Sequence, residues 1–141
     1  MLSYFVVVAG DPQGKGRPRF SSRGGFVKAY TPAKTKNYED TIRESARATM
    51  QSNEPLKTPV SVYLTAVFPV PKSYSKKRTE DCLEGLEKPI KKPDIDNLAK
   101  SVLDGMNGVI FKDDSQIVSL HCTKVYSSGA GVDVMVKEEL E

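Results

Sequence analysis

Four aspartates and one lysine of this chain have types and spacings that suit metal-assisted chemistry. Asp94 and Asp96 are two residues apart, so in an extended segment their carboxylates project to the same side and can meet at one point. Asp113 and Asp114 form a second pair, and converging carboxylates repel one another unless a cation neutralises them. Carboxylate oxygens favour Mg²⁺, with Mn²⁺ as an alternative. Lys100 lies one helical turn after Asp96 and can reach the same site, although a surface ion pair would also explain it.

The elements around these residues are expected to bring the two acid pairs together. An apolar stripe with helical spacing begins after Asp96, the predicted N-cap, and ends at the turn signal Asn107–Gly108. Such a helix rises about 16 Å. The following "VIF" is predicted to be a short strand that runs back along the helix and returns Asp113 and Asp114 to Asp94 and Asp96. Asp104, two turns past Asp96, is expected to lie outside the site.

Histidine and cysteine chemistry does not fit this chain. His121 is the only histidine, so a Ser-His-Asp or Cys-His site would depend on a residue in the middle of a predicted strand. Zinc binding by Cys82, His121 and Cys122 is disfavoured because adjacent strand residues point to opposite faces. With only two cysteines, free thiols are expected rather than a disulfide framework.

Two loop motifs are also excluded. The stretch GDPQGKG has three residues between its first two glycines instead of the four of a P-loop, and Gly16 stands where Ser or Thr is required. A calcium loop counted from Asp94 would need a ligand, a glycine and a glutamate at the positions of Leu98, Ala99 and Gly105. The acids therefore fit a magnesium site better than a calcium loop.

Charge is distributed unevenly along the 141 residues. The net charge is +3, but residues 1–36 carry seven Lys and Arg against the single Asp11, and residues 127–141 are acidic. The basic end indicates a polyanionic partner or, equally, a solvated surface. Neither a membrane span nor a signal peptide is evident, so a cytoplasmic protein without membrane contact is expected.

The predicted fold is α+β, with one mixed or antiparallel sheet and about two main helices packed on it, in one domain over residues 1–141. A strand over residues 2–9 is followed by a basic loop or hairpin. A helix capped by Thr31 then buries every fourth residue. Residues 69–93 are predicted to be a long basic loop, with a short helix near residues 79–86, and later strands close the sheet. The helix positions expected to be apolar are Tyr38, Ile42, Ala46 and Met50.

The stretch KPDIDNLAKSVLDGMNGVIFKDDSQIV resembles the RusA family of Holliday junction resolvases. The likeness lies in an Asp-x-Asp-Asn segment, a lysine four residues on, and an Asp-Asp pair after a helix, and it covers residues 93–126. It implies a Mg²⁺-dependent endonuclease, without a small-molecule cofactor, that acts as a homodimer and nicks two opposed strands of a four-way DNA junction. By matching positions it implies Asp94, Asp96 and Asp114 as metal-binding catalytic carboxylates, Asp113 as a supporting ligand and Lys100 as the catalytic lysine.

The resemblance also gives the basic loops a DNA-binding role. The loop GKGRPRF is similar to that of a branch of the family often found in prophages, whereas the 69–93 loop is longer than in the smallest members. Phe20 and Phe26 would serve as stacking surfaces or as hairpin core. The residues expected to bind phosphates are Lys15, Arg17, Arg19, Arg23, Lys91 and Lys92.

Other functions also fit these residues. A non-catalytic nucleic-acid-binding module would use the acids as helix caps and turns. A less selective branched-DNA nuclease would share the metal site, and a phosphatase would leave the basic loops without a role.

Overall fold

The computed structural model describes residues 1–30 and 32–140, and the predicted α+β class is confirmed. The predicted N-cap Thr31 lies outside the described residues. The described residues contain six strands and three α-helices. They are β1 (Ser3–Ala9), β2 (Arg19–Ser21), β3 (Lys28–Tyr30), α1 (Ala33–Met50), β4 (Val60–Pro69), α2 (Lys76–Leu83), α3 (Ile95–Met106), β5 (Ile117–Ser127) and β6 (Gly131–Glu138).

The main sheet is mixed, one of the two forms expected, with four strands in the order β1-β6-β4-β5. β4 pairs in parallel with β5 and antiparallel with β6, and β1 pairs antiparallel with β6. Alternate residues of β6, Val132, Val134 and Val136, are fully buried, which is the period of two expected where helices cover one face of a sheet. β5 is an edge strand, so one side of its backbone has no strand partner among residues 1–30 and 32–140.

α1 follows the predicted periodicity. Tyr38, Ile42, Ala46 and Met50 are all buried, so the stripe of every fourth residue faces the core. Arg43 of the same helix donates hydrogen bonds to the carbonyl oxygens of two α3 residues near its carboxyl end. These bonds fix the two main helices to each other.

The start of α3 and the segment after it differ from expectation. Asp94, not Asp96, is the N-cap, and Asp96 lies in the first helical turn. The predicted "VIF" strand is wrong, because residues 108–110 form a turn and Phe111 makes only isolated bridges, to Asn107 and Leu56. A short apolar run is ambiguous in sequence, and here its side chains are buried around a turn rather than along a strand.

Residues 69–93 are more structured than the predicted loop. α2 begins at Lys76, three residues before the predicted short helix, and Ser75 caps it by accepting a 3.2 Å hydrogen bond from the Arg78 N–H. Tyr74 packs edge to face against Tyr126 of β5, with ring centroids 6.5 Å apart. The insertion is therefore packed against the end of the main sheet.

Both cysteines, buried Cys82 and half-buried Cys122, are free thiols, as predicted. None of the helices in the described residues has the length and apolarity to cross a membrane.

Candidate active site

Asp94 and Asp96 lie at the amino end of α3. Asp94 has an extended backbone, and its side chain makes no capping hydrogen bond. Asp96 is exposed and accepts a 2.9 Å hydrogen bond from the Asn97 N–H. The unpaired N–H groups of a helix amino end favour negative charge nearby. Two exposed carboxylates are thus available to a ligand at the amino end of α3.

Asp113 and Asp114 begin a one-turn 3₁₀ helix just before β5. Asp113 caps this turn, accepting a 3.1 Å hydrogen bond from the Ser115 N–H, while its own N–H donates to the Gln116 side chain at 2.8 Å. Hydrogen bonding from Ser115, with a smaller contribution from Asn107, holds the pKa of Asp113 below its usual value. Asp113 therefore has a structural role, and Asp114 is the less engaged member of the pair.

The two acid pairs lie at opposite ends of α3. The carboxyl end turns at once, because the Gly108 N–H donates to the Phe111 carbonyl oxygen at 2.9 Å, and the Asp113 side chain lies beside Asn107, the C-cap. Eleven helical steps separate the two ends by about 16 Å. The expectation that the chain returns the second pair to the first is therefore corrected. Among the described residues, no three acidic, His or Cys side chains gather closely enough to hold a metal ion.

β5 confirms this separation independently. The Lys124 ammonium, far along β5, donates hydrogen bonds to the carbonyl oxygens of Lys91 and, at 3.0 Å, of Pro93. β5 therefore passes the Asp94 end of α3 at Lys124, seven residues after its start, and seven strand residues span about 23 Å. Asp114, just ahead of β5, is well removed from Asp94 within one chain.

Lys100 is turned away from Asp96 in this structure. Its ammonium lies 3.0 Å from a carboxylate oxygen of Asp104, the acid expected to lie outside the site. The Lys100 side chain is 57% exposed, so this ion pair contributes little to stability. Because Lys100 is four residues from both Asp96 and Asp104, either carboxylate is within reach of its flexible side chain.

A basic cleft of about 650 Å³ opens beside Asp94. It lies between the loop over residues 12–19 and the amino ends of α1 and α3. Among the residues that the structure describes, Asp94 is the only acidic one that lines the cleft. The basic residues that line it are Lys15, Arg17, Arg19, Lys34 and Lys92. Of the predicted phosphate-binding residues, exposed Arg23 lies between β2 and β3, and Lys91 lies 5.7 Å from the Phe68 ring; neither lines the cleft.

Comparison with known proteins decides the family. The family model for the endodeoxyribonuclease RusA matches residues 9–137. The chain belongs to the RusA family. A relative, the uncharacterized protein YqaN of Bacillus subtilis (strain 168), is 42% identical over 134 residues, which is 93% of each chain. Residues 9–137 of this RusA-family chain span both acid pairs, the basic loop and the 69–93 insertion.

Lys15 has a role that sequence reasoning missed. Its ammonium forms ion pairs with Glu39 of α1 and, at 3.1 Å, with Asp104 of α3. Partial burial lowers the pKa of Lys15, but hydrogen bonds to these two carboxylates outweigh that effect and the pKa is raised. Lys15 thus ties the basic loop to both helices of the RusA fold rather than standing free for phosphate.

The two glycines around Lys15 let the loop approach these helices. A Cβ on Gly14 would lie 3.0 Å from the Pro93 side chain, and a Cβ on Gly16 would lie 2.5 Å from the Thr35 hydroxyl oxygen. That hydroxyl instead accepts a 2.9 Å hydrogen bond from the Gly16 N–H. The Gly-Lys-Gly spacing, which superficially suggested a phosphate loop, is explained by this close packing.

Proposed function

We propose that this protein is a Mg²⁺-dependent endodeoxyribonuclease that binds four-way DNA junctions and nicks two opposed strands as a homodimer. The observation that carries the proposal is the exposed Asp94 at the edge of a basic cleft, in a chain of an endodeoxyribonuclease family. The basic side chains would bind the phosphate backbone of DNA without contacting the bases. The acids would lie where that backbone is cut.

The donor chemistry of the acids fits the metal. Asp94, Asp96 and Asp114 supply hard carboxylate oxygens, and no ion pair within residues 1–30 and 32–140 engages any of them. We assign these three residues as Mg²⁺ ligands, with Asp113 supporting and Mn²⁺ as an alternative ion. Bound Mg²⁺ would activate water and offset charge on the reacting phosphate. The three residues do not form this set within one chain, which makes a second copy part of the proposal.

The edge strand β5 offers a way to complete the set. Val118 and Leu120 of β5 are 64% and 44% exposed, and the outer side of the β5 backbone has no strand partner in the described chain. A two-fold axis beside β5 would pair it antiparallel with β5 of a second copy. That pairing reverses direction, so in a register centred on Ser119, between Val118 and Leu120, Asp114 of one copy would approach Lys124 of the other. Since Lys124 binds the Pro93 carbonyl oxygen, Asp114 would approach Asp94.

The remaining residues take roles around this composite site. Arg17, Arg19 and Lys92 of the cleft would bind phosphates on the approaching strand. Lys100 would exchange its exposed contact with Asp104 for a phosphate oxygen, whose negative charge it would stabilise. Two identical sites related by the two-fold axis would act on the two equivalent strands of a junction, which accounts for paired nicks.

Cleavage of a labelled four-way junction tests the proposal. The purified protein is incubated with the junction and with linear duplex, each with Mg²⁺ and with a chelator. We expect Mg²⁺-dependent nicks in opposed strands of the junction and little cutting of the duplex. An absence of cutting in every condition overturns nuclease activity, and equal cutting of both DNAs overturns junction selectivity.

The variant Asp96→Asn separates catalysis from binding. It should retain or tighten junction binding, because it removes negative charge near phosphate, while nicking is lost. Asp40→Asn is the matched control, since Asp40 is an exposed helical acid paired only with Lys36 and does not line the cleft. Equal nicking by Asp96→Asn and Asp40→Asn would show that Asp96 is not catalytic.

A further inference from the structure

The end of the 69–93 insertion exposes apolar side chains that the rest of the described chain does not cover. Ile90 is 98% exposed, Leu86 is 73% exposed and Leu83 is 52% exposed. Full exposure of an isoleucine forfeits the stabilisation that its burial would give. Such side chains suit contact with another molecule.

The backbone that carries Ile90 is fixed on both sides. Pro89 is buried, and the carbonyl oxygens of Lys91 and Pro93 both accept hydrogen bonds from the Lys124 ammonium. Ile90 thus projects from an irregular but anchored segment. An anchored side chain can enter a partner with little loss of conformational entropy.

A second anchor lies just upstream. Arg78 binds the Glu87 carboxylate through two nitrogens, at 2.9 and 3.1 Å, and its guanidinium stacks 3.6 Å from the Tyr74 ring centroid. These contacts tie the segment after α2 back onto α2. They also occupy the carboxylate of Glu87, the acid nearest to Ile90 in sequence.

The surrounding charge indicates the kind of partner. Lys88, Lys91 and Lys92 flank Ile90 on both sides and are all exposed. An apolar side chain flanked by cationic ones is complementary to base-paired DNA, which has a negatively charged backbone outside and apolar, stacked bases inside. Ile90 is also four residues ahead of Asp94, and Lys92, between them, lines the basic cleft.

We propose that Ile90 is a wedge that inserts between bases at the branch point of the bound junction. This role rests on the proposed function, and it gives the 69–93 insertion a part in DNA binding. Apolar side chains inserted between base steps unstack them and bend DNA, and a branch point already offers interrupted stacking. The flanking lysines would hold the phosphates on either side while Ile90 opens the strand that passes Asp94.

Fluorescence of 2-aminopurine placed at the branch point tests the wedge. The parent protein, Ile90→Ala and Ile90→Phe are each bound to this junction in chelator, so that nothing is cut. Val7→Ala is the matched control, because Val7 is 60% exposed on β1, the opposite edge strand. We expect a fluorescence rise with the parent, the control and Ile90→Phe, and a loss of most of that rise with Ile90→Ala. Junction cleavage in Mg²⁺ by Ile90→Ala should fall about tenfold, with junction affinity reduced less than cleavage.

Three results would overturn the wedge. The first is an unchanged fluorescence rise and cleavage rate for Ile90→Ala in a parent that cuts junctions, which leaves the proposed function intact. The second is loss of self-association by Ile90→Ala in sedimentation, which would make Ile90 a contact between copies. The third is a parent that neither binds nor cuts the junction, which overturns the proposed function and the wedge together.

Discussion

Gly105 of α3 lies so close to Ile42 of α1 that a Cβ on Gly105 would be 2.8 Å from the Ile42 Cβ. It would also lie 3.0 Å from the Glu39 backbone oxygen, which cannot move without disturbing α1. The main helices therefore meet at a point that accepts only glycine.

Gly105→Ala should destabilise the protein by about 1–3 kcal/mol, because the added methyl group forces the two helices apart. Gly129→Ala is the control, since a Cβ there meets nothing within 4 Å and the residue has no positive φ. Urea unfolding of both variants measures the difference. Equal stability of the two variants would contradict the close packing of α1 and α3.

A mixture of two inactive variants should regain activity. In the proposed dimer, each site takes Asp96 from one copy and Asp114 from the other. A dimer of Asp96→Asn with Asp114→Asn then has one intact site, so an equal mixture allowed to exchange copies should show about a quarter of the parental nicking, as single nicks. Gel analysis of a labelled junction measures it.

The matching control replaces the Asp114→Asn partner by the double variant, D96N with D114N, which leaves no intact site in any dimer. An inactive first mixture, with exchange of copies demonstrated by sedimentation of tagged chains, would place Asp96 and Asp114 in the same site of one chain instead.

Arg17 and Arg19 should contribute to the salt dependence of DNA binding. Both line the basic cleft, and neither forms an ion pair within the described residues. Each change to Gln should make the slope of log affinity against log salt concentration less steep by about 0.9, the value for one lost phosphate contact. Lys57→Gln, an exposed lysine outside the cleft, should leave the slope unchanged. Identical slopes for all three variants would contradict DNA binding in the cleft.

Tyr38 should make stability fall at high pH. Burial raises the pKa of Tyr38 from 10.0 to about 12. A folded-state pKa above the unfolded value stabilises the protein below the unfolded value, and that stabilisation is lost as pH rises from about 10 to about 12. Tyr126, whose pKa burial also raises to about 12, contributes to the same loss. Urea unfolding between pH 8 and pH 12 measures it.

Tyr38→Phe should reduce this alkaline loss. It should also raise stability at pH 8 by about 1 kcal/mol, because the Gln13 backbone lies near the buried Tyr38 hydroxyl but does not meet it at hydrogen-bonding geometry, and no other described group does. Tyr30→Phe, with a ring 48% exposed, is the control. If Tyr38→Phe loses as much stability at high pH as the parent does, Tyr38 is not the cause of that loss.

Local patterns predicted most of the fold. The stripe Tyr38, Ile42, Ala46 and Met50 identified the buried face of α1, because helical periodicity depends only on near neighbours. A basic loop or hairpin was expected after the first strand, and β2 and β3 form a hairpin there. The later strands were recognised by their β-branched residues.

The features of the fold and the site that were not predicted depend on contacts between residues distant in sequence. The "VIF" segment turns because Lys112 donates its N–H to the Leu56 carbonyl oxygen and Gln116 binds the same segment, more than fifty residues away in sequence. Lys15 is neutralised by Glu39 and Asp104, which no spacing along the chain relates to it. The four acids were recognisable from sequence, but their separation by the length of α3 was not.

The separation of Asp94 and Asp114 has a consequence for how the activity depends on concentration. Under the proposed assembly, a single chain lacks a full set of metal ligands and does not cut DNA. Below the dissociation constant of the dimer, the number of working sites would fall with the square of the protein concentration. Dilution alone would then switch the nuclease off, so a cell that makes few copies would be protected from stray cuts.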